Sequence, residues 1–261
     1  KGRNRFNSFL FKQFGMGAKL DGRRLKLYGI GRVRVRWHRP LEGTIKTVRI
    51  LHKAGRWYAC FTCEVPEPQA LPETGRAVGL DVGINALLTT SDGTKIAHPA
   101  FYRAGQQKLR LLQRKLSRVK PGSNNRRKAL LAVQRQQAHV ANQRQDFLHK
   151  VTTHLAKTKR VIVVEDLSVS GLLKNPKLAR HIADVGWGEF RRMLAYKCPW
   201  YGSRLVEANR YFPSSKMCSC CGQVLESLPL DVREWDCPAC GAHHDRDVNA
   251  AKNLLALALA G

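Results

Sequence analysis

AVGLDVGINALLTT, residues 77–90, runs directly into the turn SDG (Ser91 to Gly93) and resumes as TKIAH (residues 94–98). An apolar run that breaks at such a turn and continues predicts a strand, a tight turn and a second strand. RVIVVEDL, residues 160–167, is a short continuous apolar run of the kind buried at a sheet centre. Between them, residues 103–158 carry a helical pattern interrupted by PGSNN (Pro121 to Asn125), which predicts a helical hairpin. Its expected apolar faces are Leu109, Leu112 and Leu116 on the first arm, and Leu130, Val133, Val140, Phe147, Leu148 and Val151 on the second. GWGEFRRMLAYKCPWYG (residues 186–202) then reads as a helix, SRLVEAN (residues 203–209) as a strand and NAAKNLLALAL (residues 249–259) as a last helix. Strands and helices in this order argue an α/β domain around a central mixed sheet.

Upstream, GIGRVRVRW (Gly29 to Trp37) alternates, with Arg32, Arg34 and Arg36 on one face and Val33 and Val35 on the other. TIKTVRIL and RWYACFTCEV keep the same period of two, with HKAGR between them as a turn, so residues 1–70 predict a small antiparallel β domain. Pro66, Pro68, Pro72 and Gly75 mark the approach to a linker, placed at 71–76.

Lys+Arg number 46 against 19 Asp+Glu over 261 residues, a net charge of +27. Residues 1–76 hold 17 basic and 5 acidic side chains and residues 101–160 hold 16 and 1, whereas residues 161–261 are nearly balanced at 12 and 11. Two basic blocks of this size call for a polyanionic partner, and the arginines of the strand become candidates for nucleic-acid contact. With 43% hydrophobic residues the chain is not intrinsically disordered. It has no apolar run long enough for a membrane span and no signal-peptide cleavage pattern, so a cytoplasmic location is expected. Lys1 in place of Met suggests a processed or truncated chain.

Five of the eight cysteines fall between residues 218 and 240. Cys218 with Cys221 and Cys237 with Cys240 form two C-x2-C pairs separated by 15 residues, a spacing that lets two knuckles present four thiolates to one tetrahedral zinc ion. Gly222 and Gly241 follow the pairs where a knuckle turn needs positive φ. Four thiolates leave no open position, so such a zinc builds structure. Cys198 and Cys220 read as bystanders, and Cys60 and Cys63 as ordinary residues of an alternating strand.

Three acids stand where packing does not explain them. Asp81 ends AVGLD, Glu165 ends VIVVE, and Asp247 opens the last helix within HDRDVNAAKN. Turn chemistry accounts for Asp81 taken alone, and helix capping for Asp247 taken alone. Together, three carboxylates at the ends of apolar elements suggest a cluster holding hard divalent cations, of the kind that hydrolyses phosphodiesters with two metal ions. Gly83 is expected to allow close backbone approach at the end of that strand.

GLDVGI, VVEDLSV, KNPKLARHIADVGWGEFRRMLAYK and FPSSKMCSCCG…WDCPACGAHHDRDVNAAKNLL closely resemble the TnpB (OrfB) proteins of bacterial insertion sequences, transposon-encoded RNA-guided DNA nucleases related to type V CRISPR effectors. The resemblance is dense over residues 77–255 and weaker over the first 70, which look like the family's β-barrel wedge domain. It implies a RuvC-like, RNase H-type α/β nuclease domain over 77–210 with the basic helices 103–158 inserted, a zinc ribbon over 211–243, and a final RuvC segment with the C-terminal helix over 244–261. It puts the catalytic, Mg²⁺-binding carboxylates on Asp81, Glu165 and Asp247, with Asp245 and Asn249 as second choices, and zinc on Cys218, Cys221, Cys237 and Cys240. Two Mg²⁺ ions and one structural zinc follow, as do two partners: a guide RNA from the transposon end and double-stranded target DNA. The inserted helices would lie along the guide–target duplex, and Ser168 to Trp187 would form a lid over the site. The family's N-terminal helical recognition region and the start of its wedge domain have no counterpart in the sequence.

Candidate nucleic-acid contacts are Arg32, Arg34, Arg36, Arg110, Arg114, Arg118, Arg126, Arg127 and Lys216. Trp187, Trp200, Tyr211 and Phe212 are assigned to packing ahead of base stacking. Two further activities share these features: a silent RNA-guided repressor, whose usual mark is a missing acid of the triad, and a transposase, which would join DNA ends.

Overall fold

The computed structural model describes residues 7–67, 76–83, 86–167, 171, 174 and 186–259. The expected linker 71–76, except Arg76, and nearly all of the expected lid lie outside the described residues. The chain divides into two compact units, one of residues 1–68 with 108–139 and one of residues 69–107 with 140–261.

The first unit contains two three-stranded antiparallel sheets. β1 (Ser8–Phe11) pairs with β5 (Thr44–Lys53), which pairs with β6 (Arg56–Glu64); β2 (Ala18–Asp21), β3 (Arg24–Leu27) and β4 (Gly31–Arg34) form the other. Ala18, Leu25, Leu27, Val48 and Ile50 are its buried core, and Val33 and Val35 pack on it as their alternation predicts. β4 stops at Arg34, so Arg36 lies beyond the strand, exposed. The turn between β5 and β6 is shorter than HKAGR: His52 and Lys53 still pair with Trp57 and Arg56, leaving Ala54 (φ 51°) and Gly55 (φ 74°) as a two-residue connection. Positive φ at both positions gives the primed twist that matches the flanking strands.

α1 (Phe101–Ser117) and α2 (Asn124–Thr158) make the predicted hairpin. Ser123 caps α2, its Oγ accepting the Arg126 N–H at 3.1 Å, and Arg126 Nη1 donates to the carbonyls of Leu116 and Val119, both at 3.1 Å. Leu109, Val133, Val140 and Leu148 are buried as expected, but Leu130 is 44% exposed and Ala129 occupies the buried position beside it.

The second unit is built on a five-stranded mixed sheet of order β11-β10-β7-β8-β9: β7 (Val78–Asp81), β8 (Ala86–Thr90), β9 (Lys95–Ala97), β10 (Val161–Glu165) and β11 (Arg204–Ala208). β10 runs parallel to both β7 and β11, while β8 and β9 are antiparallel additions. Val78, Leu80, Leu87, Ile162 and Val164 meet Leu148 and Leu155 of α2 and Phe190, Met193 and Leu194 of α3 (Trp187–Tyr201) in one core. α3 is further tied to α2 by Lys197, which is buried and donates to the His149 carbonyl and to the Thr152 and Thr153 hydroxyls at 2.7–2.9 Å.

β12 (Glu234–Asp236) and β13 (His243–Asp245) form a small ribbon leading into α4 (Arg246–Leu259). α4 crosses β7 at Gly79, where an added Cβ would stand 1.9 Å from the Ala251 carbonyl oxygen and 2.7 Å from the Leu255 nitrogen. At Gly83 the expected close backbone approach is milder, a Cβ there standing 3.2 Å from the Ala86 carbonyl oxygen at the start of β8, and the strict exclusion falls on Gly79. Gly79→Ala should push α4 off the sheet and lower the melting temperature by on the order of 10 °C, read by thermal denaturation.

Candidate active site and metal centre

β7 and β10 end in Asp81 and Glu165. The strands are parallel neighbours with Val164 opposite Leu80, so the following residue on each strand, an acid in both cases, emerges at the same sheet edge. The third acid arrives through the start of α4. Asp245, not Asp247, caps that helix: its Oδ1 accepts the N–H groups of Asp247 at 3.1 Å and Val248 at 3.0 Å, and its Oδ2 takes Lys95 Nζ at 2.6 Å. Capping thus does not explain Asp247, which sits in the first turn with Arg233 3.6 Å away.

Burial pushes the Asp81 carboxyl from 3.8 up to about 7, reinforced by the negative charges of Asp247 and Glu165 and opposed by Arg246 and Arg233. Glu165 is also pushed up, by burial and then by its neighbour Asp166. Asp166 is held low by the hydrogen bond from Arg191 at 2.6 Å, with Arg210 adding a second ion pair at 3.0 Å. Two arginines are therefore spent on Asp166, while the Glu165 charge is felt at Asp81. Asp245 is likewise held low, its burial outweighed by Lys95 and by the helix N–H groups it caps. Setting half-buried acids near one another is costly where Arg233 and Arg246 only partly offset their charge, and oxygen-ligated divalent cations would offset the rest. The carboxylates are spread wider than a single-ion cage: among the described residues, only cysteines and His244 bring three or more ligand atoms all within 4.8 Å of one another.

The second constellation is tight. The Sγ atoms of Cys218, Cys221, Cys237 and Cys240 lie within 4.8 Å of one another, with Cys218 to Cys240 at 3.7 Å and Cys221 to Cys237 at 3.6 Å. Zinc–sulfur bonds of about 2.3 Å in a tetrahedron place sulfurs about 3.8 Å apart, so the four thiolates fit zinc. Gly222 (φ 79°) and Gly241 (φ 69°) turn the knuckles as expected. Among the described residues, Cys218, Trp235 and Cys237 form the buried core of this module, with Leu225, Leu228, Val232 and Ala242 packed against it, a small apolar core for the loop 211–233 that a shared metal would reinforce.

His244 is a neighbour that the sequence did not flag. Its Nε2 lies 3.0 Å from Cys218 Sγ and its ring 4.7 Å from that of Trp235. The Cys218 thiol is pushed down to about 5: the amides of Cys221 and Cys220, then His244, outweigh its burial. Asn249, a second choice for the acid site, is turned to the ribbon instead, bonding Ser219 and Met217. The pair Cys198 and Cys220 divides, Cys198 being buried in α3 and Cys220 exposed on the knuckle.

Of the basic candidates, Arg34, Arg36, Arg110, Arg114, Arg118 and Arg127 are exposed, and Arg32 is exposed while paired with Asp21 at 2.7 Å. Arg126 is committed to the hairpin turn described above, and Lys216 Nζ reaches the Glu226 carbonyl at 3.3 Å. Trp187 is buried, Phe212 packs beside Val163 and Leu254, and Trp200, 53% exposed, sets its ring edge-on to Tyr196 at 4.8 Å, whereas Tyr211 is 87% exposed, so core packing does not account for it.

The fold is similar to that of Cas12f chains. A CRISPR-Cas12f ternary complex superposes with a TM-score of 0.56 at 16% identity, over 81% of this chain and 45% of that one, and a Cas12f1–sgRNA–target DNA complex at 0.51 and 16%, over 80% and 55%. Residues 60–176 match the OrfB_IS605 family model, described as "Probable transposase", and residues 187–254 match the Cas12f1-like TNB domain. A protein of Streptomyces pristinaespiralis named "Putative RNA-guided DNA endonuclease" is 50% identical over 87% of this chain and 56% of its own length. InsQ of Escherichia coli K12, named likewise, is 35% identical over 98% of this chain and 67% of its own. The chain belongs to the OrfB (TnpB) family. It spans between about half and two thirds of the length of these curated relatives.

Proposed function

We propose that the chain carries the nuclease centre of an RNA-guided DNA endonuclease that hydrolyses phosphodiester bonds. What supports this reading is Asp81, at one of two adjacent strand ends, pushed up to about 7 by burial and then by the charges of Asp247, at the start of α4, and of Glu165, at the neighbouring strand end. A sheet of three antiparallel strands continued by two parallel ones supports a RuvC-like, RNase H-type domain over 77–210 and 244–261. Residues 1–70 serve as the wedge-like domain and 211–243 as the zinc ribbon. Asp81, Glu165 and Asp247 would hold two Mg²⁺ ions, which supply an activated water and stabilisation of the leaving oxygen. Lys95 and the α4 amides occupy Asp245, and Arg191 and Arg210 occupy Asp166, whereas Asp247 has only the looser Arg233 contact at 3.6 Å, which supports the triad as the cation ligands. Cys218, Cys221, Cys237 and Cys240 would hold one structural zinc. The partners are a guide RNA from the transposon end and double-stranded DNA, with sequence read by base pairing and the protein gripping backbone and shape.

The test is incubation of the protein and its guide RNA with matched duplex DNA in Mg²⁺. Free 5′ and 3′ ends on matched DNA alone are expected; joined ends would mean a transposase, and tight binding with intact DNA a silent repressor.

A further inference from the structure

Three buried polar side chains tie the first cysteine knuckle to the segment that carries Asp247, and neither the carboxylates nor the thiolates account for them. Asn249, 1% exposed, accepts the Ser219 N–H on Oδ1 at 2.9 Å and donates from Nδ2 to the Met217 carbonyl at 2.7 Å. Asn253, 2% exposed, donates from Nδ2 to the carbonyls of Met217 at 2.6 Å and Ser214 at 2.8 Å. His244, 5% exposed, sets Nε2 3.0 Å from Cys218 Sγ. Met217 and Ser219 flank Cys218, so all three contacts converge on one knuckle. On the other side, Asn249 and Asn253 lie two and six residues after Asp247 on the same helix, and His244 adjoins the cap Asp245.

A buried amide that loses its partners is left with an unmet desolvation cost, so α4 settles where the knuckle backbone presents those partners. The knuckle's apolar core is small, so a metal shared by its thiolates would hold its backbone more firmly than its own turn hydrogen bonds do. We propose that the ribbon metal positions Asp247: zinc at the four cysteines and the divalent cation at the carboxylates bind cooperatively through α4, with His244, Asn249 and Asn253 as positioning residues. The inference rests on the carboxylate reading above. It gives the ribbon a role in the nuclease centre that a scaffold placed elsewhere on the chain would not have.

Coupling between sites is reciprocal and commonly amounts to five- to tenfold or more in affinity. The zinc-loaded chain is titrated with Mn²⁺, with free Mn²⁺ read by electron paramagnetic resonance. Asn249→Ala, with its zinc content and helical circular dichroism unchanged, should bind Mn²⁺ about five- to tenfold more weakly. The second measurement needs no ribbon variant. Zinc affinity of the native chain, by competition with a zinc-selective chelator, should tighten by a similar factor in saturating Mg²⁺, and Asp81→Ala should abolish that response. Zinc affinity indifferent to Mg²⁺ in a chain whose Mn²⁺ binding is lost in Asp81→Ala would overturn the coupling and leave the carboxylate site standing. Mn²⁺ binding unchanged by Asp81→Ala would overturn both.

Discussion

Asp81→Asn should abolish cutting of guide-matched DNA, by about 10³-fold or more, equivalent to roughly 4 kcal/mol of barrier, while making the metal-free protein more stable. The two effects share one cause. In the native chain the Asp81 carboxyl is pushed from 3.8 up to about 7, first by burial and then by Asp247 and Glu165. Between pH 4 and 7 the unfolded chain has released this proton and the folded chain still holds it. Metal-free stability therefore falls as pH rises through that window, and above pH 7 the whole penalty remains. Asn has no charge to bury, so at pH 8 the variant should gain on the order of 1–4 kcal/mol. Mg²⁺ reverses the order, because the cation stabilises the native carboxylates and has lost a ligand in the variant. Melting curves with and without Mg²⁺ at pH 5 and pH 8 read all of this. A variant that melts lower than the native protein at pH 8 without metal would contradict the buried, like-charged cluster. In the native chain, cation binding must also expel the Asp81 proton, so Mg²⁺ affinity should climb with pH up to about 7 and level off beyond it.

That cluster was half legible in the sequence. Apolar runs ending abruptly in Asp81 and Glu165 are visible in one dimension, because an acid has no packing reason to close a buried strand. The choice within Asp245-Arg246-Asp247 is not visible from local chemistry, since either acid could cap the helix and only the hydrogen bonds to Asp245 decide it. Gly79 carried a signal, an isolated glycine inside a strand, yet only the passage of α4 across β7 shows why a side chain is excluded there. The ribbon contacts of His244, Asn249 and Asn253 left no trace, because polar residues in an amphipathic helix or a short ribbon read as its wet face until the partners beneath them are known. The two C-x2-C pairs, by contrast, were legible in full: their spacing fixes two knuckles, and four sulfurs then meet with little help from the rest of the chain.

Binding of nucleic acid should weaken steeply with salt, and the loss should trace almost wholly to the first compact unit. Residues 1–68 hold 16 basic and 4 acidic side chains, and residues 108–139 hold 10 basic and none acidic, a net of +22 of the chain's +27. Two basic blocks far apart in sequence thus belong to one body, which the charge count along the chain could not reveal. Each phosphate neutralised releases condensed counterions, so with six to ten such contacts affinity should fall by about 10³ to 10⁵ between 50 and 200 mM salt. Arg110, Arg114 and Arg118 are exposed at four-residue spacing, so replacing all three with Gln should flatten the salt dependence by about three contacts. Arg126 makes a sharp internal comparison. Its guanidinium already holds the Leu116 and Val119 carbonyls, so Arg126→Gln should loosen the hairpin, seen as faster amide exchange at its turn, and leave the salt slope nearly unchanged. Filter binding of guide RNA over a salt series, with a scrambled RNA in parallel, separates these outcomes. The triple substitution should lower affinity for both RNAs alike, since cations facing phosphates carry no sequence information, and a loss confined to one sequence would assign these arginines to base reading instead.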